Sequence, residues 1–275
     1  MREVYSFKAV PVLVTGAGRG IGKRLAIGFA ARGARVGLLA RSKAELDLCH
    51  LEIEHQGGSA LRLRADTSDY EQVTAAVERM RVQFGLHPNV LICAAALLGP
   101  VGSFAESNPK NWNEVIQTNL TGTLNACRAV LPHMLERRSG KIILLAGGSP
   151  AARPNFALHE ATKGALIRFA EILSEEVNDR NVQVNCLAPG GTYTHMTDQI
   201  LAAGERAGWE EIEEARQIRM TGGVAAEKQI DLALFLASQH SNHISGRVLN
   251  VHDDWKKLKD KAMQPDQYRL RRVQR

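Results

Sequence analysis

Seven short apolar runs punctuate this chain, at residues 10–15, 35–40, 60–64, 90–94, 141–146, 183–187 and 247–251. They read as continuous rather than alternating segments, the pattern of parallel strands covered on both faces. Amphipathic stretches separate them, at about 21–32, 43–56, 69–84, 110–137, 157–180, 195–218 and 227–239. The fifth shows its period clearly. Leu166, Phe169, Ala170, Leu173 and Val177 form one apolar stripe at helical spacing. Strand–helix alternation of this kind implies right-handed crossovers and an open, doubly wound α/β sheet of about seven parallel strands with helices on both faces. No repeat, linker or composition shift divides the pattern, so one domain is expected over residues 1–252, followed by an extension over 253–275.

The 275 residues suffice for a well-buried core, and 44% hydrophobic with 23% charged residues is a globular balance. The net charge of +6 is localised. Between Trp255 and Arg275, eight lysines and arginines face only Asp260 and Asp266, a surplus that equals the net charge of the whole chain. Such a tail is a solvated end, a strap over a neighbouring subunit, or an attractor of anionic substrate. No aromatic platform or nucleic-acid module accompanies it, so no nucleic-acid partner is expected. No apolar run is long enough to span a membrane, and the amino terminus lacks the apolar core of a signal peptide. Cys49, Cys93, Cys127 and Cys186 are scattered without metal or disulfide spacing and read as small buried hydrophobes. A cytoplasmic protein without a metal site is the expectation.

Directly after the first apolar run stands Thr15-Gly16-Ala17-Gly18-Arg19-Gly20-Ile21-Gly22. A glycine turn between a strand and a helix lets backbone N–H groups approach a pyrophosphate, and the helix N-terminus adds a favourable field. This is a Rossmann-type dinucleotide site. NAD sites place an acid at the end of the second strand for the ribose hydroxyls, whereas this strand ends Leu38-Leu39-Ala40-Arg41. Arg41 and Arg19 supply two guanidiniums suited to a 2′-phosphate, so the expected cofactor is NADP(H).

The spacing Thr-Gly-x-x-x-Gly-x-Gly resembles that of the short-chain dehydrogenase/reductase family, and the resemblance continues over roughly residues 8–252. It implies roles for several positions. Asp66, followed by Thr67, matches the acid that bonds the adenine. Asn119 matches the asparagine that helps hold a proton-relay water, and Lys163 the lysine that binds the nicotinamide ribose and lowers its partner's pKa. Pro189-Gly190-Gly191-Thr192-Tyr193-Thr194 resembles the loop whose final threonine contacts the carboxamide, and residues 244–249 the closing strand. Cys93-Ala94-Ala95-Ala96 stands where the family carries Asn-Asn-Ala-Gly. The resemblance also implies a homodimer or homotetramer assembled through the fourth and fifth helices, acting on a small-molecule substrate.

Two departures fall on the chemistry. His159 stands four residues before Lys163, where the family carries its catalytic tyrosine, one helical turn away on the same face. Ala146, or Gly147 beside it, stands where the family carries its catalytic serine. A histidine titrates nearer neutrality than a phenol, and a neighbouring lysine cation disfavours imidazolium, so His159 is expected to be a neutral base that favours alcohol oxidation. A structural or substrate-binding side chain and a remnant in an inactive protein are the alternatives. Ser149, Tyr193 and Tyr268 are candidates to supply the missing hydroxyl, each with a bland role in packing or at the surface. The charged segment 194–221, with Glu205, Glu210, Glu211, Glu213 and Glu214, reads as a solvated helix face. The expected activity is NADP(H)-dependent hydride transfer on a small polar hydroxyl or carbonyl compound. A catalytically weak or inactive NADP(H)-binding protein, acting as sensor or partner subunit, is the competing expectation, and an epimerising or carbon–carbon enzyme on the same fold a more distant one.

Overall fold

The first strand, β1 (Pro11–Thr15), splits its side chains between two cores: Val12 and Val14 pack on one side of the sheet and Leu13 on the other. Successive side chains of a strand leave on opposite faces, so a strand covered on both sides must be apolar throughout. The computed structural model describes residues 5–146, 152–259 and 263–270. Within them β1 is joined by β2 (Arg35–Ala40), β3 (Ser59–Arg64), β4 (Val90–Cys93), β5 (Gly140–Leu145), β6 (Val182–Ala188) and β7 (Val248–Asn250). They form one parallel sheet in the order β3-β2-β1-β4-β5-β6-β7. The edge strand β3 departs from the expected continuous run. Its arginines alternate with apolar residues and only Leu63 is buried, because an edge strand is incompletely covered.

Helices α1 (Gly20–Ala30), α2 (Lys43–His55) and α9 (Ala226–Ala237) cover one face of the sheet. On the other lie α3 (Tyr70–Phe84), α5 (Gly122–Arg137) and α6 (Ala157–Glu176). The stretch expected as one helix over 110–137 is segmented: α4 (Trp112–Ile116) runs through a π-helical turn, Gln117–Thr121, into α5. The stretch expected over 195–218 also divides, into α7 (His195–Ala203) and α8 (Trp209–Thr221). Gly204 and Gly208 lie between them at φ 56° and 88°, backbone that side-chain-bearing residues seldom adopt. Together α7 and α8 form a cap that folds around its own small core of Leu98, Phe156, Ile200, Ala207, Ile212 and Ala215. Phe156 is completely buried there, worth roughly 2–3 kcal/mol of transfer energy.

The described residues beyond His252 pack against the sheet and its helices. Trp255 and Leu258 are buried in the first core, with the Trp255 ring 5.1 Å from that of Phe235. Val248 N–H donates to the Tyr268 carbonyl at 2.8 Å, and Arg247 Nη1 donates to the carbonyls of Pro265 and Gln267 at 2.6 and 2.9 Å. No helix among the described residues is long and apolar enough to cross a membrane.

Candidate active site

The strand order reverses between β1 and β4, which opens a crevice outside their carboxyl ends, the place where doubly wound sheets bind ligands. A cleft of about 1220 Å³ lies there, running from the glycine turn and Arg41 past the ends of β4, β5 and β6 to the cap. It is larger than the ~300–1,000 Å³ of an ordinary small-molecule pocket, room for an extended cofactor and a substrate together.

The glycine turn is built by close approach. Gly16, at φ 66°, would bring a Cβ to 2.7 Å from the Ala95 backbone, and a Cβ on Gly22 would fall 2.3 Å from the Gly16 carbonyl oxygen. Thr15 Oγ1 accepts from the N–H groups of Ala94 and Ala95 at 3.2 and 3.3 Å, tying the end of β1 to that of β4. The chain caps α2 with Ser42 and α3 with Asp69. It leaves α1 without a side-chain cap and without an acid in its first turn. An uncapped helix N-terminus behind a glycine cradle, open on the cleft, fits a dinucleotide pyrophosphate.

Gly16, Gly18, Arg19, Gly20, Ile21 and Gly22 all line this end. Ala40 and Arg41 follow at the end of β2. Arg19 Nη1 lies 3.4 Å from Glu45, and Arg41 Nη1 lies 3.8 Å from Asp66 and 3.7 Å from Glu114; both arginines and Glu114 are exposed, and Glu45 and Asp66 are partly so. Asp66, Thr67 and Ala94 are on the wall, with Asp66 Oδ1 accepting from the N–H and hydroxyl of Ser68 at 2.9 and 2.7 Å. Pro189, Gly190, Thr192 and Thr194 line the far side. The buried amide of Gln229, which sequence reasoning missed, holds this loop: its Nε2 donates to the Pro189 carbonyl at 2.9 Å and to Thr192 Oγ1 at 2.5 Å. Only the folded chain brings α9 under the loop.

At the centre, α6 presents His159 and Lys163 to the cleft. His159 Nδ1 lies 3.0 Å from the Leu97 carbonyl oxygen. Burial, more than the nearby Lys163 ammonium, lowers the imidazole pKa to about 4, with the Arg153 guanidinium adding to the fall and the Leu97 carbonyl opposing it. Lys163 Nζ donates to the Leu145 carbonyl at 2.6 Å, and burial lowers its pKa to about 8. Asn119 does not line the cleft. It is fully buried in the π-helical turn, where Oδ1 accepts from Leu97 N–H at 2.7 Å and Nδ2 donates to the Leu97 carbonyl at 2.9 Å and to Thr162 Oγ1 at 3.1 Å. Ala146, just past β5, is a buried methyl, and Gly147 and Ser149 lie outside the described residues. Tyr193 turns away, its hydroxyl donating to Asp198 at 3.0 Å, and Tyr268 lies beside β7, so neither phenol lines the cleft.

The cap side of the cleft mixes apolar residues, Leu98, Met196, Ile200 and Ile218 among them, with a charged cluster that sequence reasoning missed. Arg153, between β5 and α6, donates through Nε to Glu211 Oε1 at 2.9 Å and through Nη2 to Glu211 Oε2, with Glu160 Oε1 3.4 Å from Nη1. Its guanidinium also lies 4.7 Å above the Phe156 ring. Expected as part of a solvated helix face, Glu211 instead turns inward; Glu214 and Ile218, at successive spacings of three and four residues, line the same wall, with Glu214 still exposed. Glu205, Glu210 and Glu214 are exposed as expected, and Glu213, paired with Arg216, is partly buried. Helical spacing shows that Glu211, Glu214 and Ile218 share a face but not that this face looks into the cleft.

The family model for short chain dehydrogenase matches residues 11–204. The gluconate 5-dehydrogenase of Gluconobacter oxydans (strain 621H) is 31% identical over 250 residues, covering 90% of this chain and 95% of that protein. Among solved structures, a gluconate 5-dehydrogenase from Burkholderia cenocepacia J2315 in complex with NADP and tartrate superposes with a TM-score of 0.78 at 27% identity, covering 90% and 95% of the two chains. A 3-oxoacyl-[acyl-carrier protein] reductase from Brucella melitensis with bound NAD gives a TM-score of 0.75 at 30% identity, covering 90% of each chain.

Proposed function

The chain belongs to the short-chain dehydrogenase family, and from that premise we propose that it is an NADP(H)-dependent oxidoreductase acting on a small polar hydroxyl or carbonyl compound, with His159 as its proton-transfer group. The observation that carries the proposal is the shared face of His159 and Lys163 on the cleft, with the imidazole held at Nδ1 by Leu97. When bound, the nicotinamide supplies or accepts the hydride. The glycine turn and the uncapped N-terminus of α1 hold the pyrophosphate. Lys163 has donors to spare beyond Leu145 and offers an ammonium to the ribose while keeping imidazolium disfavoured. His159 Nε2 takes the hydroxyl proton of an alcohol, and because its pKa is about 4 the acceptor form is the resting one at neutral pH.

The preference for NADP(H) rests on Ala40 at the position of the ribose-binding acid and on Arg19 and Arg41 flanking it. Their ion pairs with Glu45, Asp66 and Glu114 span 3.4–3.8 Å, with both guanidiniums solvent-exposed. Pairs of this kind contribute about 1 kcal/mol or less, which bidentate bonds to a 2′-phosphate exceed. The absence of a hydroxyl at Ala146 favours a second reading, a cofactor-binding protein of weak or no turnover that acts as sensor or partner subunit. We also propose a cytoplasmic homodimer or homotetramer through α5 and α6, where Ile172 is exposed, with residues 1–252 as the domain and 253–275 as its extension; light scattering in solution reads the assembly.

Fluorescence titration with NADPH and NADH, for wild type and Arg41→Ala, tests the cofactor. NADPH should bind more tightly and lose that advantage in the variant, whereas tight NADH binding indifferent to Arg41 overturns the preference. Turnover of an alcohol and carbonyl panel separates enzyme from sensor, and silence across the panel over the accessible pH range sinks the enzyme reading.

A further inference from the structure

Apart from Lys163, Arg153 is the one lysine or arginine on the substrate side of the cleft among the described residues. Its charge is already taken. Glu211 engages it in a two-pronged pair in which the side chains are only 21% and 16% exposed, and Glu160 lies against the remaining prong. Glu214, exposed on the same wall, adds a third carboxylate, so acids outnumber cations on this side of the cleft.

We propose that Glu211 sets the charge of the substrate: by holding Arg153 it makes the cleft accept uncharged polyhydroxy compounds and reject the corresponding carboxylates. The inference rests on the oxidoreductase reading and narrows its substrate class. A substrate carboxylate reaching for Arg153 must break a bidentate, partly desolvated pair and strand the Glu211 charge beside its own, a cost that bulk electrostatics does not repay. A neutral hydroxyl needs no such exchange. Each glutamate carboxylate has about four acceptor positions, and Arg153 occupies no more than two of those on Glu211, so hydroxyl groups can donate to the rest.

D-Glucitol and D-gluconate differ at one end of a six-carbon chain, an alcohol against a carboxylate, and serve as the probe pair with NADP⁺. Wild type should show a kcat/KM for glucitol at least about tenfold above that for gluconate. Glu211→Gln, near-isosteric, should shrink that ratio by about tenfold through a lower KM for gluconate, because Arg153 is released. The double variant Arg153→Gln/Glu211→Gln should lose the gain, which separates charge release from a mere loosening of the cap. Preference of the wild type for gluconate, or a ratio that Glu211→Gln leaves alone, overturns the proposal. Should wild type turn over neither compound, calorimetric titration of gluconate into the NADP⁺-loaded wild type and Glu211→Gln proteins decides the charge question by itself. Tighter binding to the variant supports it and equal binding overturns it, whatever becomes of the enzyme reading.

Discussion

Nδ1 of His159 lies 3.0 Å from the carbonyl oxygen of Leu97. A carbonyl only accepts, so the ring carries its proton on Nδ1 and leaves Nε2 as the basic nitrogen. Leu97 is in turn gripped at both its N–H and its carbonyl by the amide of Asn119. The asparagine therefore acts on the imidazole through a backbone segment, as a positioning residue.

Asn119→Ala should cost about 1–3 kcal/mol of stability, the penalty for stranding buried polar groups. It should also lower kcat while leaving NADPH affinity within error, since no cofactor-facing atom is removed. Steady-state kinetics beside a fluorescence titration reads the split, and Asn119→Ala with unchanged kcat argues against the positioning role.

Lys163 is protonated below about pH 8. Lys163→Met should weaken nicotinamide-nucleotide binding and flatten the alkaline end of the rate profile, where wild type declines as the ammonium is lost. A variant that keeps the wild-type alkaline limb would assign that limb to another group.

Lys141, buried on β5, bonds Asn242 Oδ1 at 2.7 Å and Ser241 Oγ at 3.2 Å, and burial lowers its pKa to about 7. Between that value and the ordinary 10.5 the unfolded chain binds more protons than the folded one, so stability rises with pH through this window and is lost as pH falls through it. Lys141→Met should remove much of that rise, an effect of a few kcal/mol in denaturant titrations. An unaltered slope in the variant would refute the assignment.

Two glycines make opposite predictions. Gly164, in α6 beside Lys163, has nothing within 4 Å of an added Cβ, so Gly164→Ala should stabilise by about 0.5–1 kcal/mol through helix propensity. Gly22→Ala would set a methyl 2.3 Å from the Gly16 carbonyl oxygen and should abolish NADPH binding. Thermal melts with and without NADPH report both effects.

The sheet was legible because burial on two faces forces continuous apolar runs, as Val12, Leu13 and Val14 show. The glycine turn was legible because its close contacts admit no other residue. His159 and Lys163 were legible as a pair from helical spacing alone. The break at Gly204 and Gly208 was not anticipated, since glycine inside a helical pattern announces itself only when its φ is known. The union of Arg153 with Glu211, 58 residues apart, depends on the cap folding back onto the segment between β5 and α6. Charge within one segment carries no information about such a partner, and Glu211 therefore read as solvated. The same limit hid Leu97, whose contribution is a backbone carbonyl.

The central claim is that His159 is a base held neutral by its surroundings, and the pH dependence of NADP⁺ reduction tests it most directly. With a pKa of about 4 in place of 6.5, the acceptor form persists as pH falls, so wild-type kcat/KM should show no acid limb near 6.5. His159→Gln should lose about 10²–10⁴-fold in kcat while still binding NADPH. An acid limb at 6.5 in the wild type, or a glutamine variant as fast as wild type, would contradict the account.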